Sequence, residues 1–131
     1  MSGKDYVAVR EVMTSSPLVI DGLASVAQAA TLMSENNVSS LVVDKRDDSD
    51  EYGILAVHDI AREVIAHDRS AERVNVYEVM SKPVISVDVG MNVKYAVRLL
   101  TRFQLTRALV LEQGKVVGIV TLRDLVLRSL G

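Results

Sequence analysis

The chain contains no cysteine and no tryptophan, and only one phenylalanine and four tyrosines among 131 residues. Without cysteine there are no disulfides, no thiolate metal sites and no cysteine nucleophile. With so few aromatic rings, a core has to be built from Val, Ile, Leu and Met, and 49% hydrophobic content supplies them. No basic run appears, and the formal net charge is −2 with a pI near 5.6, which argues against a nucleic-acid-binding stripe. No window approaches the roughly 20 apolar residues of a membrane span. Residues 1–10 lack the apolar segment of a signal peptide. A globular, cytoplasmic protein is the expectation.

What the chain does have is a pattern used twice. Val12-Met13-Thr14 returns as Val79-Met80-Ser81, an offset of 67 (12 to 79). The octet at 26–33 returns at 93–100, and the stretch at 38–43 returns at 105–110, both with the same offset. Gly53-Ile54-Leu55-Ala56-Val57-His58-Asp59 returns as Gly118-Ile119-Val120-Thr121-Leu122-Arg123-Asp124, now with an offset of 65 (53 to 118). The two missing residues fall in a turn. Each copy reads as an extended stretch (17–20; 83–87), a helix, a hairpin and a second helix. Ser25 and Asn92 are matching helix N-caps. Val26, Ala29, Ala30 and Met33 make a stripe at helical spacing, repeated by Val93, Ala96, Val97 and Leu100. Asn36-Asn37 is a helix stop. Strands at 38–43 and 52–57 flank a charged connection at 44–51, and Glu112-Gln113-Gly114-Lys115 makes the tighter turn of the second copy. The second helix starts near His58-Asp59 and Arg123-Asp124. The fold class is therefore α+β, two β-α-β-β-α units covering 6–68 and 74–131. A unit of roughly 60 residues is marginal alone, so the two are expected to share a core about a pseudo-two-fold axis.

The repeated Val-x-x-Val-Met-Thr/Ser opening (9–14; 76–81) and the Gly-h-h-Thr-x-x-Asp close (118–124) resemble the CBS-domain family, whose paired form is called a Bateman module. The resemblance spans about 6 to 130. It implies clefts that take adenosine ligands (AMP first, also ADP or ATP, and less so S-adenosylmethionine) and a homodimer that signals to a regulated partner. The implied protein is not an enzyme but a stand-alone regulatory, energy-sensing module. It implies no cofactor, no nucleic acid and no membrane. The alternative is a structural dimerisation module with no ligand.

Carried over residue by residue, Asp124 bonds the ribose hydroxyls and Thr121 a phosphate. Arg107, with Ala108 beside it, and Arg123 add charge-assisted phosphate contacts. Lys82, Pro83, Val84 and Ile85 match the adenine segment, with Lys82 either reaching a phosphate or simply solvated. Thr-x-x-Asp is equally the pattern of a helix-capping box, so Thr121 and Asp124 have a purely structural reading beside the ligand one. The first copy departs from the motif. Ala56 stands where the threonine would be, Ser39 and Ser40 where Arg107 would be, and His58 where Arg123 would be. Asp59 remains for a ribose, with Ser16, Pro17, Leu18 and Val19 as the adenine segment. Two unequal sites are expected, the one at Asp59 weaker or empty. His58 and His67, with no cysteine or carboxylate cluster, do not make a metal site. Met13 and Met80 read as core or dimer-contact residues. No activated nucleophile and no Walker-type loop is present.

Overall fold

In the computed structural model, which describes residues 6–82 and 85–130, the two aliphatic stripes become the first long helices of the two halves. Helix α1 (Val26–Asn36) begins at Ser25, whose Oγ accepts the Gln28 N–H at 3.0 Å while Gln28 Oε1 accepts the Ser25 N–H at 2.8 Å. This reciprocal cap satisfies two donors that a helix start leaves unpaired. The helix stops at Asn37, left-handed at φ 52° and ψ 48°. Helix α3 (Val93–Arg102) begins at Asn92, whose Oδ1 accepts the Lys94 N–H at 3.0 Å. The stripes bury Val26, Ala29 and Met33 in one helix and Val93, Ala96 and Leu100 in the other. Ala30, expected on the first stripe, is exposed.

The chain divides into two compact units, Met1–Pro17 with Ile85–Gly131, and Leu18–Val84. In the first unit the strands are β1 (Thr14–Ser15), β5 (Ser86–Asp88), β6 (Arg107–Glu112) and β7 (Lys115–Thr121), in the order β1-β7-β6-β5. Only the β5/β6 pair is parallel. Gln113 and Gly114, both at positive φ, turn β6 directly into β7. Helix α4 (Leu122–Leu130) follows β7 without a break. In the second unit, β2 (Val19–Ile20), β3 (Ser40–Val43) and β4 (Gly53–Ala56) form a three-stranded sheet in that order. Helix α2 (Val57–Ile60) follows β4 and widens at once into a π-helix over Ala61–Ile65.

These units are not the sequence repeats. The span read as the first repeat, 6–68, begins with a leader that builds the other half's core. Val9 and Val12 bury among Val87, Val93, Leu100 and Val120. The Val9 N–H donates to Met91 O at 2.8 Å, and the Val93 N–H donates to Val7 O at 2.8 Å. The leader of the second repeat, 74–131, does the same in the second unit. Val76 and Val79 bury among Val26, Leu41, Leu55 and Val64, and the Val76 N–H donates to Ala24 O at 2.8 Å. The reason is apolar area: a repeat of this size cannot cover its own sheet, and the exchanged leader closes it.

The leader's last residues explain why the glycines of the closing motif are there. A Cβ on Gly118 would meet Met13 Sδ and Thr14 O, both at 2.7 Å. On Gly53 it would meet Met80 Sδ at 2.9 Å and Ser81 O at 3.1 Å. Met13 and Met80 are therefore packing residues over these glycines.

The charged 44–51 connection is an ordered loop. Asp50, its side chain about 10% exposed, takes the Lys82 ammonium, the Arg46 N–H at 2.9 Å and Arg46 Nε at 3.4 Å. The Lys82 hydrogen bond, followed by the N–H groups of Arg46 and Glu51, holds the Asp50 carboxyl well below its ordinary 3.8.

Two outcomes follow. Gly118→Ala overfills the crossing and should cost about 1–3 kcal/mol in urea unfolding. Adding Met13→Ala should not restore the loss, since the Thr14 carbonyl is backbone. A variant with the parent's midpoint would contradict this close approach. A carboxylate depressed in the folded state stabilises it above the unfolded value and loses that contribution as pH falls below it. Between about pH 5 and pH 3 the parent should therefore lose more stability than Asp50→Asn. Equal acid slopes in chemical denaturation would show that the Lys82 pair contributes nothing.

Candidate functional site

One end of the β6–β7 hairpin gathers Arg107, Thr121, Arg123 and Asp124 of the residues expected around a ligand. Antiparallel pairing sets Arg107 directly opposite Thr121, so the two side chains stand about 5 Å apart at Cβ on one face. Helix α4 begins at the next residue, with the Leu122 N–H donating to Thr106 O at 2.8 Å. Thr121 Oγ1 accepts the Asp124 N–H at 3.0 Å, which is the capping arrangement. A hydroxyl also carries a donor, so this cap leaves the Thr121 O–H free to point outward. The Asp124 carboxylate is half-buried and accepts no hydrogen bond among the described residues. Arg107 Nε is buried with no hydrogen-bond partner among them, and Arg123 is exposed.

A buried guanidinium N–H without an acceptor is costly. Its chemistry calls for an anion; an open hydroxyl stands across the strand pair from it, and a half-open carboxylate lies three residues further along the chain. With Leu122 N–H and Asp124 N–H both spent inside the unit, attraction for the anion rests on the cations and the helix field.

The other expected residues fall as follows. Ile85 is partly buried against the same core, and its carbonyl accepts the Leu109 N–H at 3.2 Å. Ala108 turns its methyl into the core, fully buried, because strand alternation sends it to the face opposite Arg107. Pro83 and Val84 lie outside the described residues. Lys82 belongs to the second unit, where Asp50 holds its ammonium. A ligand would have to compete with that carboxylate for it.

The first-copy candidates are divided between the units. Ser16 and Pro17 fall in the unit of β7, where the Ser16 N–H donates to Val117 O at 3.3 Å and Ser16 sits at φ 52°. Leu18, Val19, Ser39, Ser40, His58 and Asp59 lie in the second unit. Ser40 pairs with Ala56 just as Arg107 pairs with Thr121, and the Val57 N–H donates to Ser39 O at 3.0 Å. The Leu18 carbonyl accepts the Val42 N–H at 2.9 Å. The backbone is thus repeated while the polar groups are not. Val19 is exposed. Asp59 is 2% exposed and is engaged by its own helix: Oδ2 accepts the Ala56 N–H at 2.9 Å, and Oδ1 takes Arg62 Nη2 at 3.1 Å and His58 Nε2 at 3.4 Å. Arg62, three residues on from Asp59, was not among the expected site residues. Its spacing on one helix face is the signal that could have found it.

A cavity of about 760 Å³ lies at the far end of β3 from Ser40, lined by Asp21, Asp44, Lys45, Arg46, Asp50 and Lys82 over Val43, Tyr77 and Met80. Its three carboxylates and three cations balance, and only Lys82 among the expected residues reaches it. No group of three His, Asp or Glu among the described residues could hold a metal ion. No helix among them is long and apolar enough to cross a membrane.

The CBS-domain family model matches residues 9–66 and 76–131. A hexameric CBS-CP12 protein from bloom-forming cyanobacteria is 33% identical at a TM-score of 0.89, covering 94% of this chain and 71% of that one. An uncharacterized conserved protein from Pyrococcus horikoshii is 30% identical at a TM-score of 0.83, covering 96% and 94%. Among curated relatives, an uncharacterized protein of Methanopyrus kandleri is 32% identical over 120 residues, 91% of this chain but 58% of its own length. The CBS domain-containing protein YhcV of Bacillus subtilis is 29% identical over 123 residues, 94% of this chain and 86% of its own length.

Proposed function

This chain belongs to the CBS-domain family, and from that we propose that it is a regulatory module which binds an adenine nucleotide at the Arg107–Thr121–Asp124 end of its second half. The observation that carries the reading is the buried, unpartnered Arg107 Nε set across the strand pair from Thr121, with an unengaged Asp124 carboxylate three residues further along the chain.

Each group has a part that its chemistry suits. The Asp124 carboxylate accepts from both vicinal hydroxyls of a ribose. Arg107 and Arg123 bond phosphate oxygens, and the Thr121 O–H donates to another. The field at the start of α4 favours the same negative charge. Ile85 supplies apolar contact for adenine. AMP comes first, with ADP and ATP as longer relatives of the same anion. S-adenosylmethionine ranks lower, because it brings a sulfonium cation toward the arginines.

The module is non-enzymatic in this reading: the site suits an anion and a diol, and among the described residues none beside it is placed to activate a nucleophile. It works as a homodimer. Tyr95 and Phe103 on and just after α3, and Val126, Leu127 and Leu130 on α4, are exposed apolar groups of one unit that a second copy would cover. The similar CBS-CP12 protein is hexameric, which supports self-assembly. For occupancy to regulate a separate partner, the nucleotide must bind one arrangement of the protein better than another. The second reading, a ligand-free dimerisation module, draws on the first half, where Ala56 has no hydroxyl and Asp59 is already engaged.

Titrating AMP, ADP, ATP and S-adenosylmethionine while following thermal unfolding should give a saturable rise with the nucleotides, since binding to the native state alone raises the melting temperature. Asp124→Ala removes hydrogen bonds to a charged group worth about 1.5–3 kcal/mol. It should weaken AMP at least about tenfold with the fold intact. Equal AMP affinity in parent and variant would overturn the site. No rise with any of the four, in a folded sample, would favour the ligand-free module.

A further inference from the structure

The two halves start their second helices in the same way and then treat the motif aspartate differently. Val57 and Leu122 both send their N–H back to the neighbouring strand, to Ser39 O and Thr106 O. In the second half, the threonine hydroxyl takes the aspartate N–H, and the carboxylate accepts no hydrogen bond among the described residues. In the first half there is no hydroxyl at Ala56, and the carboxylate itself turns back onto the Ala56 N–H at 2.9 Å. That uses Oδ2. Arg62 uses Oδ1 from the other side at 3.1 Å, with His58 Nε2 at 3.4 Å.

Binding a vicinal diol needs a carboxylate that can offer oxygens outward. Asp59, 2% exposed with both oxygens in use, offers none. Arg62 is itself 61% exposed on its side chain, so it caps the carboxylate from the solvent side. By the offset of the closing motif its counterpart is Leu127 (62 to 127), an exposed side chain that cannot pair with Asp124.

We propose that Arg62 is a latch: paired to Asp59, it withholds the first half's carboxylate from ligand, so that the chain takes one nucleotide rather than two. This rests on the nucleotide reading of the second half. Arg62 acts as a positioning residue, through the carboxylate it holds. Replacing it by the second half's residue should open Asp59 Oδ1 to a ribose, and Ala56→Thr adds the hydroxyl that the second half can offer a phosphate.

Two readouts separate the latch from the reading beneath it. The first needs no nucleotide: carbodiimide labelling of carboxylates, read by peptide mass spectrometry. In the parent, Asp124 should label and Asp59 should be protected. In Arg62→Leu, with or without Ala56→Thr, labelling of Asp59 should rise several-fold while Asp124 stays unchanged. Asp59 labelling as strong in the parent as in the variants would overturn the latch. The second is calorimetric titration with AMP: one per chain in the parent and two in the double variant. With Asp124→Ala added, one should remain. If Asp59 becomes labelled and the count stays at one, the latch does not govern binding and the proposal falls. If neither parent nor variant takes AMP while Asp59 labelling still rises, the nucleotide reading fails and the Arg62–Asp59 contact stands apart from it. Arg62→Leu alone, a change at an exposed side chain, gives the labelling test even where the double variant folds poorly.

Discussion

The antiparallel pairing of β6 with β7 is the constraint on which the candidate site depends. Register alone sets Arg107 opposite Thr121, and the uninterrupted passage of β7 into α4 carries Asp124 to the same end. A slip of one residue would turn Arg107 to the core face and Ala108 outward. The register is held at both ends. Gln113 and Gly114 close the hairpin in a two-residue turn with positive φ at both positions, a one-residue shift between Val110 and Leu111 then resets the pairing to Val110 with Gly118, and the fully buried Ala108, Val110 and Val120 tie the inward face to the core.

The other edge of β7 is closed by a leader from far away in the chain. Thr14 and Ser15 pair with Ile119 and Gly118, and Arg128 Nη1 on α4 donates to Val12 O at 3.0 Å. The glycine of the motif is thus a packing requirement of one edge, while the threonine three residues later serves the other. The motif reads as one string in sequence and answers two separate physical demands. The same exchange in the second unit, Ser81 bridging to Ile54 over Gly53, shows that leader and glycine recur together because each half is completed by the other's leader.

Much of this was legible in the residues. Caps at Ser25 and Asn92, the stop at Asn37, the Gln113-Gly114 turn and the helix starts after β4 and β7 are local events, dictated by side chains within four residues of one another. The leader exchange was not legible, because Met13 sits in sequence beside its own repeat. Which glycine it covers is decided by tertiary packing. Ala30 followed the helical period and still faces outward, since a stripe on paper is wider than the face that packs. At the site, the identity of Asp124, Thr121 and Arg107 was legible from the double motif, and the opposition of Arg107 to Thr121 came only with the strand register. The loss at Ala56 was legible too. That Asp59 turns back onto the Ala56 N–H, with Arg62 on its other oxygen, came only with the geometry. Lys82 adjoins the adenine segment in sequence, and its ammonium is held by Asp50 from a loop longer than the second half's turn.

The account's central claim is that one motif, repeated on one backbone frame, is chemically open in the second half and closed in the first. Amide spectra of ¹⁵N-labelled protein during a titration with AMP test it directly. The account predicts shifts at Arg107 and residues 121–124, with residues 56–59 unmoved. Shifts at 56–59 with residues 121–124 unmoved, or no shifts at millimolar AMP, would contradict it.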